Sequence, residues 1–183
     1  MIESPSPIET RENQPKPSII LLDGSKGAGK STVGEILTHQ LEGVVFLTLD
    51  NERRALENQE RTRAELNKEA FENILSKSTK HLIEGTNLII DCGLTEERVS
   101  KVESLAADKN VTVYKFLLKA SYETQLDRVR SRDSAKGNET DEARFAEVHN
   151  IVHAKNSDDF TIIDTDQLNP SEVATKIVRL IGQ

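Results

Sequence analysis

Nine consecutive residues carry most of the chemistry legible in this chain: Gly24-Ser25-Lys26-Gly27-Ala28-Gly29-Lys30-Ser31-Thr32. The first eight read G-x-x-x-x-G-K-S, the pattern of a phosphate-binding loop. Its glycines let successive backbone N–H groups turn inward around a polyphosphate, and a helix starting at Lys30 aims its positive dipole end at the same place. In such a loop Lys30 reaches the β- and γ-phosphates and Ser31 ligates Mg²⁺. The spacing therefore calls for a nucleoside polyphosphate and Mg²⁺.

Three further groups could act on a phosphate held there. Asp50 opens Asp50-Asn51-Glu52-Arg53, a D-x-x-R arrangement. At the end of a strand beside the loop, Asp50 would take a proton from an acceptor hydroxyl or position Mg²⁺ through water; the plain alternative is a helix cap. Arg53 follows one helical turn later, placed to hold an anionic acceptor group. Asp91 ends the apolar run Leu88-Ile89-Ile90 and reads as the Mg²⁺-side acid, as an acceptor contact, or again as a cap. Arg128 and Arg132, four apart, share one flank of a helix, with Arg130 on the other. A flexible stretch follows them, so the pair suits a lid closing on transferring phosphate, against the plainer reading of a solvated basic helix end. None of His39, His81, His149 and His153 has the spacing of a transition-metal site, and His149 and His153 are expected on a helix surface.

These residues need a scaffold, and the hydrophobic pattern supplies one. Apolar runs at Ile19–Asp23, Val44–Leu49, Asn87–Asp91, Val111–Leu118 and Phe160–Asp164 read as strands buried on both faces. Between them, helical periodicity predicts helices over 30–42, from Leu66 to Leu82, from Thr95, over 121–132, around Phe145 to Val152, and from Asn169 onward. Asn51 to Arg63, charged and nearly free of apolar residues, is expected to be a mobile surface segment. Thr95 before Glu96-Glu97, and Asn169-Pro170-Ser171-Glu172, are helix starts. The last helix should bury Val173, Ile177, Leu180 and Ile181. Strands alternating with helices give an α/β, doubly wound, five-stranded and mainly parallel sheet with helices on both faces. Ligands then sit at the C-terminal strand edge, where Gly24, Asp50, Asp91 and Asp164 all fall.

Composition bounds the rest. At 183 residues the chain suits one domain, with residues 1–17, holding four of the five prolines, as a disordered leader and 18–183 as the domain. A net charge of −7 disfavours a broad basic footprint for long nucleic acid. The lone cysteine, Cys92, excludes an intramolecular disulfide. No apolar run is long enough to span a membrane, and a soluble, cytoplasmic protein is expected.

Taken together, the motifs resemble those of small P-loop kinases, over roughly residues 18–182. The similarity is to polynucleotide 5′-kinases and, more loosely, to zeta-toxin-like, chloramphenicol phosphotransferase-like, adenylylsulfate and gluconate kinases. Asp50-Asn51-Glu52-Arg53 is similar to the D-x-x-R of polynucleotide kinases, which implies Asp50 as general base and Arg53 on the acceptor side. Asp91-Cys92-Gly93-Leu94-Thr95-Glu96-Glu97-Arg98 resembles the family segment after the third strand, with Cys92-Gly93 in place of Thr-Asn. Leu126 to Arg132 resembles the lid segment with its arginine pair. Asp164 to Pro170 looks like the adenine-side loop of small-molecule kinases. The resemblance implies transfer of the γ-phosphate of ATP to a hydroxyl. The acceptor is first a small molecule or nucleotide, with a polynucleotide 5′ end second. A reading of another class is a regulatory nucleotide-binding module with slow hydrolysis. The base-reading N-K-x-D of switch GTPases does not occur in the chain.

Overall fold

The computed structural model describes residues 16–56, 60–93, 95–154 and 159–182. The leader expected over residues 1–17 lies outside them, save Lys16 and Pro17. In chain order the first half runs β1 (Ser18–Asp23), α1 (Lys30–Gln40), β2 (Val44–Thr48), α2 (Leu49–Ala55), α3 (Arg63–Ile83) and β3 (Asn87–Asp91). The second half runs α4 (Glu96–Lys109), β4 (Thr112–Lys119), α5 (Tyr122–Ala135), α6 (Glu142–His153), β5 (Thr161–Asp164) and α7 (Pro170–Leu180).

The strands form one sheet in the order β2-β3-β1-β4-β5, and every pairing is parallel. Parallel strands need crossovers, and the helices supply them on both faces. Alternate residues of β1 serve opposite layers. Ile20 and Leu22 pack with Val33 and Leu37 of α1 and with Val173 and Ile177 of α7. Ile19 and Leu21 pack with Phe71 and Ile74 of α3 and with Val102 and Ala106 of α4. All four of these β1 residues are at most 1% exposed, as a central strand requires. Register at the foot of β1 is pinned by the Ser18 N–H, which donates to the Asn87 side-chain oxygen at 2.8 Å. Helix α1 lies so close over β2 that a Cβ on Gly34 would stand 2.3 Å from the Phe46 ring. Leu126, Val129 and Phe145, with Tyr122 against them, form a third, small cluster between α5 and α6.

Several helix starts follow their local chemistry. The Thr95 hydroxyl accepts from the Arg98 N–H, with Glu96 and Glu97 in the first turn. Asn169 and Glu172 form a reciprocal capping box around Pro170.

Other expectations are corrected. Within the stretch Asn51 to Arg63, residues 51–55 are not a mobile surface segment but the body of helix α2. Thr48 ends β2 and caps this helix by accepting from the Asn51 N–H, so Leu49 belongs to the helix rather than the strand. Charged residues suffice there because α2 docks on α3 through polar contacts: Glu52 is buried and paired with Lys77 at 2.6 Å. Helix α3 begins earlier than the apolar pattern indicates, since Thr62 and Glu65 form a capping box. Helix α1 stops at Gln40, and α5 runs on to Ala135. Leu180 is 49% exposed, and Ala174 is buried on α7 instead. His149 is not on the surface: it shares the inward face of α6 with Phe145 and Val152, and its ring stacks on His153 at 3.9 Å.

Candidate functional site

The site forms where β1 ends. Asp23 is buried, and its side chain accepts from the Gly24 N–H at 2.8 Å, turning the chain into the loop. Gly24, Gly27 and Gly29 all have positive φ. At two of these glycines a side chain has no room. A Cβ on Gly24 would lie 2.6 Å from the Leu118 carbonyl oxygen, and one on Gly27 would lie 2.5 Å from that of Gln125. Glycine is thus required here both for conformation and for the close approach of β4 and α5. Ala28 is fully buried and Lys26 exposed. The Lys30 ammonium donates to the Gly24 and Ser25 carbonyls at 2.7 and 3.3 Å, so its charge lies over the loop. Ser31 and Thr32, on the first turn of α1, are exposed at the loop mouth.

Sheet order decides which acid lies nearer the loop. β3, not β2, is the neighbour of β1, so Asp91 ends the adjacent strand and Asp50 stands beyond it. Asp50 is therefore not on the strand beside the loop; it sits in the first turn of α2 after the edge strand β2. Burial pushes the Asp91 carboxyl above the ordinary aspartate range. The Lys30 ammonium opposes that shift, Asp50 and Asp23 add to it, and the Gly93 N–H opposes it. Asp50 is exposed and makes an ion pair with Arg53 at 2.8 Å. Arg53 is largely covered and also donates to the Asn67 side chain of α3 at 3.4 Å.

The two arginines expected to form a lid are placed differently. Arg128 donates to the Gly27 carbonyl at 3.1 Å, and to the Thr165 hydroxyl and carbonyl at 3.3 and 2.9 Å. It therefore joins the loop, α5 and the turn after β5. Arg132 lies instead on Asp133 at 3.0 Å, an ion pair that holds the Asp133 carboxyl below its usual range. Arg130 faces Glu142 and Asp127, on the side away from Arg128. A cleft lined by Gly29, Thr32, Arg128, Thr165, Leu168 and Pro170 opens beside the loop, between it and the Asp164–Pro170 turn.

Three contributors lie outside the sequence-based set. Gln125 is fully buried and accepts from the Ser25 hydroxyl. Thr165 is buried beneath Arg128. Arg98 donates to the Cys92 and Gly93 carbonyls, shaping the turn after Asp91, and its guanidinium lies over the Phe71 ring. Only Gln125 left a usable signal, as a polar residue on the face that carries Tyr122, Leu126 and Val129.

Among the described residues, no group of three or more His, Cys, Asp or Glu side chains is placed to hold a metal ion. The donors present fit Mg²⁺, which is commonly bound through one or two carboxylates together with substrate phosphates. The crowding of Asp91 by two further carboxylates fits a cation as well. Ser31 and Asp91 would hold it.

The raised Asp91 carboxyl has a measurable consequence. Its folded state binds a proton more tightly than the unfolded chain does, so the ionised carboxylate weakens the fold at every pH above the raised value. Asp91→Asn should raise the Tm of the ligand-free protein at pH 7. The gain should shrink as pH falls and vanish below the ordinary value of 3.8, where Asp91 is protonated in both states. A thermal unfolding series across pH checks this, and a lowered Tm at pH 7 would contradict it.

Solved structures share this fold. The tunicamycin resistance protein of Deinococcus radiodurans superposes with a TM-score of 0.69 at 22% identity, over 91% of this chain and 96% of that one. The Mycobacterium tuberculosis APS kinase CysC, in complex with AMPPNP and APS, gives 0.64 at 15% identity, over 93% and 100%. A chain of the Pnkp1/Rnl/Hen1 RNA repair complex gives 0.65 at 15% identity, over 79% of this chain and 47% of that one. At such identities the likeness is one of fold, and it is the P-loop kinase type expected from the sequence. No curated protein matches the chain by sequence. Among the described residues, no helix is long and apolar enough to cross a membrane. The model of the AAA domain family AAA_33 matches residues 19–153, which takes in the phosphate loop, both acids and the arginine helix, and the chain belongs to that family.

Proposed function

We propose that this protein is an ATP-dependent phosphotransferase that moves the γ-phosphate to a hydroxyl of a small molecule or nucleotide. One observation carries the reading: β3 lies between β1 and β2, which sets Asp91 between the phosphate loop with Lys30 and Asp50 on α2. A phosphate-binding side and a carboxylate–guanidinium side therefore face one another across Asp91. Bound ATP with Mg²⁺ supplies the transferable group and neutralises part of its charge. Lys30 and the loop N–H groups hold the β- and γ-phosphates. Ser31 and Asp91 serve the metal. Asp50 takes the proton of the acceptor hydroxyl as its oxygen forms the new bond to phosphorus and the bond from phosphorus to the β,γ-bridging oxygen breaks, releasing ADP; Arg53 holds the acceptor. Arg128 stabilises the charge that develops on the transferring group, and Arg132 leaves Asp133 to join it on closure. The cleft beside Arg128, Thr165 and Leu168 suits the base. In a cell the protein would work in the cytoplasm.

The D-x-x-R pair keeps a polynucleotide 5′-hydroxyl as a second acceptor. A screen with γ-labelled ATP over nucleosides, sugars, antibiotics and 5′-hydroxyl oligonucleotides separates the two. Label released only as inorganic phosphate, whatever acceptor is offered, would favour a slow nucleotide-hydrolysing module and sink the transferase.

The arginine helix gives a graded test. Arg128→Ala should cost about 2–4 kcal/mol in kcat/KM, the scale of a lost electrostatic contact to developing charge. Arg132→Ala should cost less than Arg128→Ala but more than Arg130→Ala, whose partners Glu142 and Asp127 lie on the far flank. Equal kinetics for the three variants would reduce this helix to a charged surface.

A further inference from the structure

Three glycines make the phosphate loop a poor keeper of its own shape. Gly24, Gly27 and Gly29 each have many backbone states to lose, and a loop that samples them binds phosphate with a penalty. Something outside the loop must select one state. Gln125, in the first turn of α5, is placed to do so. It is 0% exposed, on a helix face otherwise given to Tyr122, Leu126 and Val129. An amide there costs desolvation unless both its ends are paired, and both are. Its oxygen accepts from the Ser25 hydroxyl, and its nitrogen donates to the Ala120 carbonyl at 2.9 Å.

Ser25 is itself only 2% exposed, so its hydroxyl points into the protein rather than toward a ligand. Its carbonyl meets the Lys30 ammonium at 3.3 Å. Ser25 is therefore the residue at which the grip of Gln125 and the loop's principal charge meet. The same turn of α5 presses its backbone on Gly27, leaving no space for a Cβ. We propose that Gln125 is a positioning residue for the phosphate loop, acting through Ser25 to keep the loop N–H groups and Lys30 arranged for polyphosphate. The inference rests on the nucleotide-binding reading above.

The test is calorimetric titration of the full chain with AMPPNP, for wild type, Gln125→Met, Ser25→Ala and the double variant. Gln125→Met keeps length and flexibility while removing both hydrogen bonds. Each single variant should weaken AMPPNP about tenfold, the scale of one buried hydrogen bond. Because the two act through one contact, the double variant should also lose about tenfold rather than a hundredfold. Gln125→Glu gives an independent readout. A neutral carboxylic acid offers the same acceptor and donor as the amide, whereas the carboxylate loses the donor. AMPPNP affinity of Gln125→Glu, taken relative to wild type at each pH, should therefore recover as pH falls.

A purely structural role would lower Tm and leave AMPPNP affinity unmoved, which would overturn the proposal. So would additive losses in the double variant. If Gln125→Met does not fold, a pH-independent deficit in Gln125→Glu overturns it. Wild type that fails to bind AMPPNP would defeat the nucleotide-binding reading itself; wild type that binds, with unaffected variants, would defeat this inference alone.

Discussion

Lys30→Ala is expected to abolish phosphoryl transfer and to weaken ATP binding sharply, while the protein stays folded. The ammonium is the point charge that meets the β- and γ-phosphates on the proposed reading, and no other cation is held inside the loop in the same way. Lys26 is exposed, and Arg128 reaches the loop from α5, at Gly27 and Thr165 rather than at Gly24 and Ser25. The fold has little to lose. Lys30 is only half buried, its two hydrogen bonds are to loop carbonyls near the surface, and alanine is an excellent residue for the first turn of α1. Calorimetry with AMPPNP and a thermal melt on the same sample decide the matter. Unchanged nucleotide affinity would remove the basis of the whole functional reading.

The second large effect concerns Asp50. Asp50→Asn preserves shape and hydrogen-bonding reach but cannot take a proton. It should cut kcat by about 10²-fold or more, the contribution of a positioned general base. Nucleotide affinity should hold, because Asp50 lies one strand beyond Asp91 from the loop. The ion pair with Arg53 is exposed on its Asp50 side, so its loss should cost the fold little. Arg53 also keeps its contact with Asn67. Single-turnover transfer, measured with an acceptor from the screen, separates the base from a cap. Near-normal kcat in Asp50→Asn would leave Asp50 as a helix-terminal residue of α2 and hand the proton to another group.

The strands and the loop were legible because their signals are local. A short continuous apolar run such as Ile19 to Leu22, closed by the glycine-rich loop, suits a buried strand, and eight residues of fixed spacing define the phosphate loop. The Asn169–Glu172 capping box is equally local, its two side chains three residues apart. Helix α2 was illegible for a physical reason: what holds it is a Glu52–Lys77 contact between residues far apart in sequence, and charge composition alone looks the same in a solvated loop. Strand order was equally hidden. The chain places Asp50 first, but β3 inserts between β2 and β1, and only the pairing shows that Asp91 is the acid beside the loop. Arg128 and Arg132 share a helix flank, yet their partners, Gly27 and Thr165 for one and Asp133 for the other, come from tertiary placement. His149 lies inward because its face of α6 meets Tyr122 of the neighbouring helix, a contact the periodicity of α6 alone does not carry.

The insertion of β3 also divides labour along the chain. Everything on the Asp50 side, from β2 through α2, α3 and β3 to α4, is one uninterrupted piece between Val44 and Lys109. The phosphate loop, the arginine helix and the turn around Thr165 come from the segments before and after it. The two share β1 as a common wall, through Ile19 and Leu21 on one face and Ile20 and Leu22 on the other. On the proposed reading, the choice of acceptor is written in a single cassette of sequence. Drift, insertion or recombination within that cassette, so long as it spares Asp91, would retarget the enzyme without disturbing how it grips its phosphate donor. Changes to the flanking segments would act on every acceptor alike.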